Sequence, residues 1–288
     1  MALHPDFVCF GEEGTEARDL ASASVAVLPV PYELSPSYGE GSRFAPFHIL
    51  SASGQMETVD EELQSDWTRP GIHTLPPPGL CQDPLIDFPV IHEAAETVLS
   101  AGKPFLALGG DHAITLPLVR AAQKHHPGLA VLQIDAHTDL RQTWNGSIYN
   151  HACVMRRITD DLQVPVTAVG IRSFCAEELA LMRQRGIKPF FAHEIRPDDD
   201  SFIAEVLARL PDKVYLSFDL DGLDPSVLPG TGTPEPGGLS WRQALALIKA
   251  LGKNKKVVSA DVNELAPIPG THVSEYTAAR LCQKIISY

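Results

Sequence analysis

Several features that would take this chain out of the ordinary globular enzymes are missing. Its 288 residues hold no uninterrupted apolar run of about 18, the length a membrane helix needs, so no span is expected. The opening Met1-Ala2-Leu3-His4-Pro5-Asp6 has no basic segment followed by an apolar stretch, which gives no expectation of a secretory signal. Cysteine is sparse and unpaired in pattern: Cys9, Cys81, Cys153, Cys175 and Cys282 are scattered, odd in number and form no C-x-x-C. A disulfide framework and a thiolate zinc site are thereby excluded, and a reducing, cytoplasmic setting is expected. Basic charge is also short, with 23 Lys and Arg against 36 Asp and Glu, a formal net charge of −13. An acidic body repels nucleic acid and anionic membranes, and mildly favours small cations as partners. Gly109-Gly110 lies in no G-x-G-x-x-G spacing, so a dinucleotide fingerprint is absent. Internal repeats, low-complexity tracts and interdomain linkers are likewise missing.

What is present is a regular alternation. Apolar runs at Val25–Val30, Phe105–Leu108, Ala130–Asp135, Val166–Ile171, Lys188–Phe191, Val214–Asp219 and Val257–Val262 read as strands. Helical stretches follow near Pro46–Met56, Val90–Ser100, Leu116–His125, His151–Ile158, Ala176–Arg185, Ser201–Leu210, Trp241–Leu251 and Ser274–Ile286. The proline-rich stretch 70–90 reads as a surface loop with one short strand at Ile72–Leu75. Strands that are apolar at nearly every position suit a sheet covered on both faces. Repeated strand–helix alternation predicts one three-layer α/β/α domain with a mostly parallel sheet over residues 25–288, preceded by an arm over 1–24.

The polar residues of interest fall where these strands end, the edge at which open parallel sheets bind ligands. Gly109-Gly110-Asp111-His112 follows one strand, Asp135-Ala136-His137-Thr138-Asp139 a second, Asp219-Leu220-Asp221 a third, and Asp261-Val262-Asn263-Glu264 a fourth. Asp135, His137 and Asp139 are spaced so that an extended backbone would aim all of them one way. Carboxylates gathered so densely repel, and cannot all stay ionised without cations between them. Two divalent ions would balance Asp135, Asp139, Asp219 and Asp221, charge for charge. Oxygen-rich donors with imidazole and no thiolate suit manganese or a similar hard ion. A pair of ions roughly 3.5–4 Å apart acidifies a shared water.

These segments resemble the ureohydrolase superfamily of arginases and agmatinases. The match rests on the four motifs, on Ser217-Phe218-Asp219-Leu220-Asp221-Gly222-Leu223-Asp224-Pro225 with Pro229-Gly230 and Gly237-Gly238, and on Asp261 to Pro267. The resemblance implies an eight-stranded parallel sheet and two Mn²⁺ ions per subunit. It implies one ion held by His112, Asp135, Asp139 and Asp219, the other by Asp135, His137, Asp219 and Asp221, with Asp135 and Asp219 shared. Glu264 would pair with the substrate guanidinium. Asp139 would be the first proton donor to the departing nitrogen, and His151 would relay protons near the mouth. Asp111 and Asp224 would serve turns and caps. Family members commonly form homo-trimers or homo-hexamers.

Specificity is expected at the rim. Arginases carry Asp residues after a Gly-x-Arg segment, whereas Gly170-Ile171-Arg172 continues here as Ser173-Phe174-Cys175. Asp135 to Arg157 and Pro31-Tyr32-Glu33 with Ser37-Tyr38-Gly39 are similar to agmatinases, so agmatine is the expected substrate. Arg141 and Ser147 are candidate substrate contacts, and Arg141 leaves a guanidino acid such as guanidinobutyrate open. Arginine is a further alternative. A noncatalytic family member is disfavoured by the full set of ligand candidates. A two-metal phosphoesterase is disfavoured because Glu264 would repel an anion.

Overall fold

The computed structural model describes residues 8–11, 19–34, 36–196 and 199–288. The chain opens with β1 (Val25–Val30), α1 (Ala45–Ser53), a short hairpin of β2 (Val59–Asp60) and β3 (Ser65–Asp66), then β4 (Ile72–Thr74). Strand–helix pairs follow: α2 (Pro84–Ser100) and β5 (Phe105–Gly109), α3 (Thr115–His125) and β6 (Ala130–Ile134), α4 (Val154–Asp160) and β7 (Val166–Ile171). Next come α5 (Ala176–Arg185) and β8 (Phe190–Phe191), α6 (Ser201–Arg209) and β9 (Lys213–Asp219), α7 (Trp241–Asn254) and β10 (Lys256–Asn263), and finally α8 (Val273–Ser287). Among the described residues no helix is long and apolar enough to cross a membrane.

The main sheet has eight strands in the order β4-β1-β5-β10-β9-β6-β7-β8, and every pairing in it is parallel. Strand alternation divides the core into two layers. Ala26, Leu28, Val30, Phe105, Ala107, Val131 and Tyr215 pack with α2, α3, α4 and α5. Val27, Leu106, Leu108, Leu132, Ile134, Leu216 and Phe218 pack with α1, α6, α7 and α8. Because each face meets helices, both parities of a strand must be apolar, which is why the strands read as near-continuous apolar runs.

Four details depart from the sequence reading. The loop expected through residue 90 ends at residue 83, and α2 begins at Pro84. Asp83 caps it by accepting the Leu85 amide at 2.9 Å, and Pro84 sits where no amide hydrogen is needed. Pro89 lies inside the helix and forgoes one bond to the carbonyl of Leu85, a residue 69 % exposed. The helix expected from His151 starts as a 3₁₀ turn, His151–Cys153, before α4. The β2–β3 hairpin was not anticipated. Of the arm expected over 1–24, residues 1–7 and 12–18 lie outside the described residues. Phe10 is buried against Trp67 with ring centroids 5.8 Å apart, so that part of the arm joins the core.

Candidate metal centre

The carboxyl ends of β5, β10, β9 and β6, neighbours in the middle of the sheet, form the floor of the site. At three of these ends the local backbone is a turn in which an aspartate caps the amide two residues on. Asp111 accepts from Ala113 at 2.9 Å, Asp135 from His137 at 2.6 Å and Asp219 from Asp221 at 2.9 Å. This corrects the expectation of extended backbone through Asp135, His137 and Asp139. The strand stops at Ile134, and Asp139 has φ +52°, in the left-handed region. The side chains converge through a turn and a strained residue, because the amide of His137 is taken by Asp135 and not by a neighbouring strand. Glu264 has φ +67° as well. Of the six described non-glycine residues with positive φ, Asp139 and Glu264 are at candidate site positions, while Gln64, Gln82, Asn145 and Gln163 are not.

The candidate ligands meet in two groups. His112 Nδ1 lies 3.3 Å from Asp135 Oδ2, 3.1 Å from Asp139 Oδ2 and 3.3 Å from Asp219 Oδ2. His137 Nδ1 lies 3.0 Å from Asp221 Oδ2 and 3.7 Å from Asp135 Oδ1. The two oxygens of Asp135 thus face different imidazoles, the disposition a shared carboxylate requires. All of these aspartates are buried, as is His112, while His137 keeps 27 % of its side chain exposed.

Such crowding cannot persist with every group in its ordinary ionisation state. Burial raises the Asp139 carboxyl, the Asp135 charge adds to it, and it is pushed up to about 7. Burial, Asp221 and Asp135 together hold Asp219 well above the carboxylate range. Burial alone would lower His137, but Asp221 and Asp135 overcome it and carry the ring up to about 12. His112 is likewise raised by its three aspartates against a strong opposing burial effect. Divalent cations between these carboxylates would relieve the same repulsion. His112 Nδ1, buried and with no hydrogen-bond partner, points into the convergence of three carboxylate oxygens. A lone pair surrounded by anionic acceptors fits a metal ion, and the oxygen-rich donor set with imidazole fits a hard divalent one.

Above this floor a small cavity of about 20 Å³, near the volume of one water, is lined by His137, Asp139, Asp219, Asp221, His151 and Glu264 among others. Glu264 Oε1 accepts the amide of His112 at 2.7 Å, and burial with the nearby Asp111 raises its carboxyl well above normal. His151 is held by Ser37, whose Oγ is 2.8 Å from Nε2, and its Nδ1 lies 3.9 Å from Asp111 Oδ2. Burial lowers the His151 imidazole. Asp111 thus does more than cap a turn: with His151 and Glu264 it forms a third cluster of close ligand-type atoms. Asp224 caps as expected, accepting the amides of Ser226, Gly237 and Gly238.

A second groove of about 170 Å³ shares His137 and Asp139 and runs past Arg141, Ser173, Phe174 and Glu178. The Arg141 guanidinium rests 4.0 Å over the Trp144 ring. Ser147 is not brought to either cavity: its Oγ accepts the Tyr149 amide at 3.0 Å. Another cavity of about 330 Å³ is apolar, sits at the amino ends of β1, β5 and β10, and touches none of these residues.

Sequence reasoning passed over several supporting residues. Gln133 donates to Asp135 Oδ2 at 2.7 Å and to the His137 carbonyl at 3.1 Å. Arg172 donates to the carbonyls of Asp221, Glu235 and Gly170, tying two loops of the site together. Ser217 touches His112 Nε2 at 2.8 Å. The signal was a polar side chain inside an apolar strand, which Gln133 and Ser217 both display.

Comparison with known proteins places this geometry in context. A family model described as the arginase family matches residues 23–287. The N(1)-aminopropylagmatine ureohydrolase of Synechocystis sp. is 40% identical over 286 residues, covering 96% of this chain and 92% of that protein. The agmatinase of Pyrococcus horikoshii is 32% identical over 273 residues, covering 93% of each. The crystal structure of agmatine ureohydrolase from Thermoplasma volcanium superposes with a TM-score of 0.88 at 30% identity, over 98% of this chain and 94% of that one.

Proposed function

The chain belongs to the arginase family and is a hydrolase of guanidino carbon–nitrogen bonds, and from that premise we propose that it is a two-metal ureohydrolase. Its substrate is a linear aminoalkyl guanidine: agmatine, or agmatine extended by an aminopropyl group. The observation that carries this reading is that His137, Asp139, Asp219 and Asp221 line one cavity with Glu264 and His151, with His112 and Asp135 in contact with them directly beneath. We take residues 25–288 as the catalytic domain, assembled in solution as a homo-trimer or homo-hexamer.

Under this reading His112, Asp135, Asp139 and Asp219 hold one ion, and Asp135, His137, Asp219 and Asp221 the other, with manganese the metal that suits the donors. When bound, the ions supply an activated water and stabilise developing negative charge. The chain's own residues do the rest. Glu264, anchored by the His112 amide, fixes the guanidinium and lowers the entropy of attack. Asp139, which lines the cavity beside Glu264 and His151, carries a proton toward the departing nitrogen. His151, oriented by Ser37, exchanges that proton with the exterior.

The substrate tail leaves along the groove past Ser173 and Phe174. No acid stands at Ser173 or Cys175 to meet an α-amino group, which disfavours arginine. The higher identity to a protein named for aminopropylagmatine favours the extended amine over agmatine itself. Urea release is to be measured from N1-aminopropylagmatine, agmatine, arginine and guanidinobutyrate with Mn²⁺-loaded protein. Both agmatine-class substrates should exceed arginine and guanidinobutyrate in kcat/KM by roughly tenfold or more. Arginine or guanidinobutyrate in the lead would overturn the substrate assignment.

A further inference from the structure

Behind the His112 imidazole lies a buried polar chain that no step above employs. Asp261, on β10, is fully buried. Its Oδ2 accepts the Tyr215 hydroxyl at 2.7 Å, and its Oδ1 accepts the Ser217 hydroxyl at 2.8 Å and the Asn263 amide at 2.6 Å. Ser217 Oγ in turn lies 2.8 Å from His112 Nε2.

Counting hydrogens gives the chain a direction. A carboxylate has none to give, and Ser217 has one. At 2.8 Å from Asp261 Oδ1 that hydrogen must lie between the two oxygens, since two bare oxygens so close would repel. Thr115 Oγ1, 3.3 Å from Ser217 Oγ, competes weakly for it. Burial pushes the Asp261 carboxyl upward, but the hydrogen bonds from the Tyr215 and Ser217 hydroxyls favour the form that accepts. Ser217 is thereby left as an acceptor toward His112, so Nε2 keeps its hydrogen and Nδ1 faces Asp135, Asp139 and Asp219.

We propose that Asp261 is a positioning residue which, acting through Ser217, dictates the His112 tautomer and so leaves Nδ1 available to a metal ion. This rests on His112 being a ligand, as proposed above. Without Asp261 the Ser217 hydroxyl is free to turn toward Nε2, the ring proton then moves to Nδ1, and a protonated Nδ1 cannot ligate.

The test is calorimetric titration of the metal-free full chain with Mn²⁺. Wild type should take up two ions per chain, and failure there would count against the metal reading itself. Asp261→Ala should weaken one ion by about 10- to 100-fold and spare the other. Asp261→Asn should keep both, because its amide can turn its oxygen to Ser217 and its nitrogen to the Tyr215 hydroxyl oxygen. Asp261→Ala combined with Ser217→Ala should recover part of the loss, since the misdirected hydroxyl is gone; a merely structural role for Asp261 predicts no recovery. If Asp261→Ala does not fold, Ser217→Ala against Ser217→Thr carries the test, with only the former weakening one ion. Two ions bound at wild-type affinity by Asp261→Ala, a double variant no better than the single one, or equal binding by Ser217→Ala and Ser217→Thr would overturn the proposal.

Discussion

Glu264 Oε1 accepts the backbone amide of His112 at 2.7 Å, so the residue proposed to grip the guanidinium is anchored to the residue proposed to hold a metal. Glu264→Gln tests the two roles separately. Glutamine retains an oxygen for the His112 amide but loses the charge that faces the substrate. Metal stoichiometry and melting temperature should stay near wild type, while kcat/KM falls by about 10- to 100-fold, the worth of a charged hydrogen bond. Steady-state kinetics beside metal analysis reads this, and an unchanged kcat/KM would remove Glu264 from substrate binding.

The same seam constrains Gly110, whose carbonyl accepts the Glu264 amide at 2.8 Å. A Cβ there would sit 2.2 Å from the carbonyl oxygen of Tyr32, a backbone atom unable to step aside cheaply. Gly110→Ala should cost on the order of 1–3 kcal/mol by overpacking and displace His112 with Glu264. Chemical denaturation of the metal-free protein measures the first effect and Mn²⁺ affinity the second. A variant indistinguishable in both would show that the seam is softer than it looks.

Metal uptake should be coupled to proton release. Asp221 and Asp135 carry His137 up to about 12 against the effect of burial, so its ring is an imidazolium at pH 7 in the metal-free protein. An ion can bind its Nδ1 only as that proton leaves. Affinity should therefore rise with pH across the neutral range. The stability that His137 gains from Asp221 is complete below the unfolded imidazole value of about 6.5, and fades as pH climbs toward 12. Titration calorimetry in buffers of different ionisation enthalpy counts the protons; none released would contradict the assigned ionisation.

Lys284 is fully buried with its Nζ 2.8 Å from Asp60 Oδ2 and 2.9 Å from Glu61 Oε1, joining α8 to the hairpin. Lys284→Met leaves Asp60 buried without its cation and should destabilise by about 3–5 kcal/mol, with Asp60→Asn in the same chain restoring part of this. Burial would raise Asp60, but Lys284 and Gln283 bond its charged form and hold it below the usual range. Its contribution is present above the unfolded value of about 3.9 and disappears as pH falls through the lower folded value. Denaturation curves from pH 7 down to about 2 follow the onset and most of that loss, which Lys284→Met should largely abolish.

Much of this architecture was legible because strand ends and chemistry coincide. Val25–Val30 and Val166–Ile171 form strands with the expected bounds, since an apolar run between turn residues has no competing solution inside a covered sheet. His112, Asp135, His137, Asp139, Asp219, Asp221 and Glu264 all reach the site. What stayed hidden depended on atoms and not on spacing. The reversal of backbone at Asp139 is imposed by capping geometry that an alternating pattern does not encode. Arg141 lines the second groove, and its stacking on the Trp144 ring is a contact that its place in the sequence does not disclose. Pro84 marks a loop by composition and a helix start once Asp83 stands before it.

The place of β10 between β5 and β9 has a consequence for biosynthesis. Strands carrying His112 and Asp219 become neighbours of one another only through residues 256–263, which a ribosome delivers last among the strands of the sheet. A nascent polypeptide shorter than that can already pair β6 with β9 and gather Asp135, His137, Asp219 and Asp221, but it has neither Glu264 nor the strand that seats His112 beside Asp219. Of the two ion positions proposed above, the one at His112 is therefore the last to be completed during synthesis.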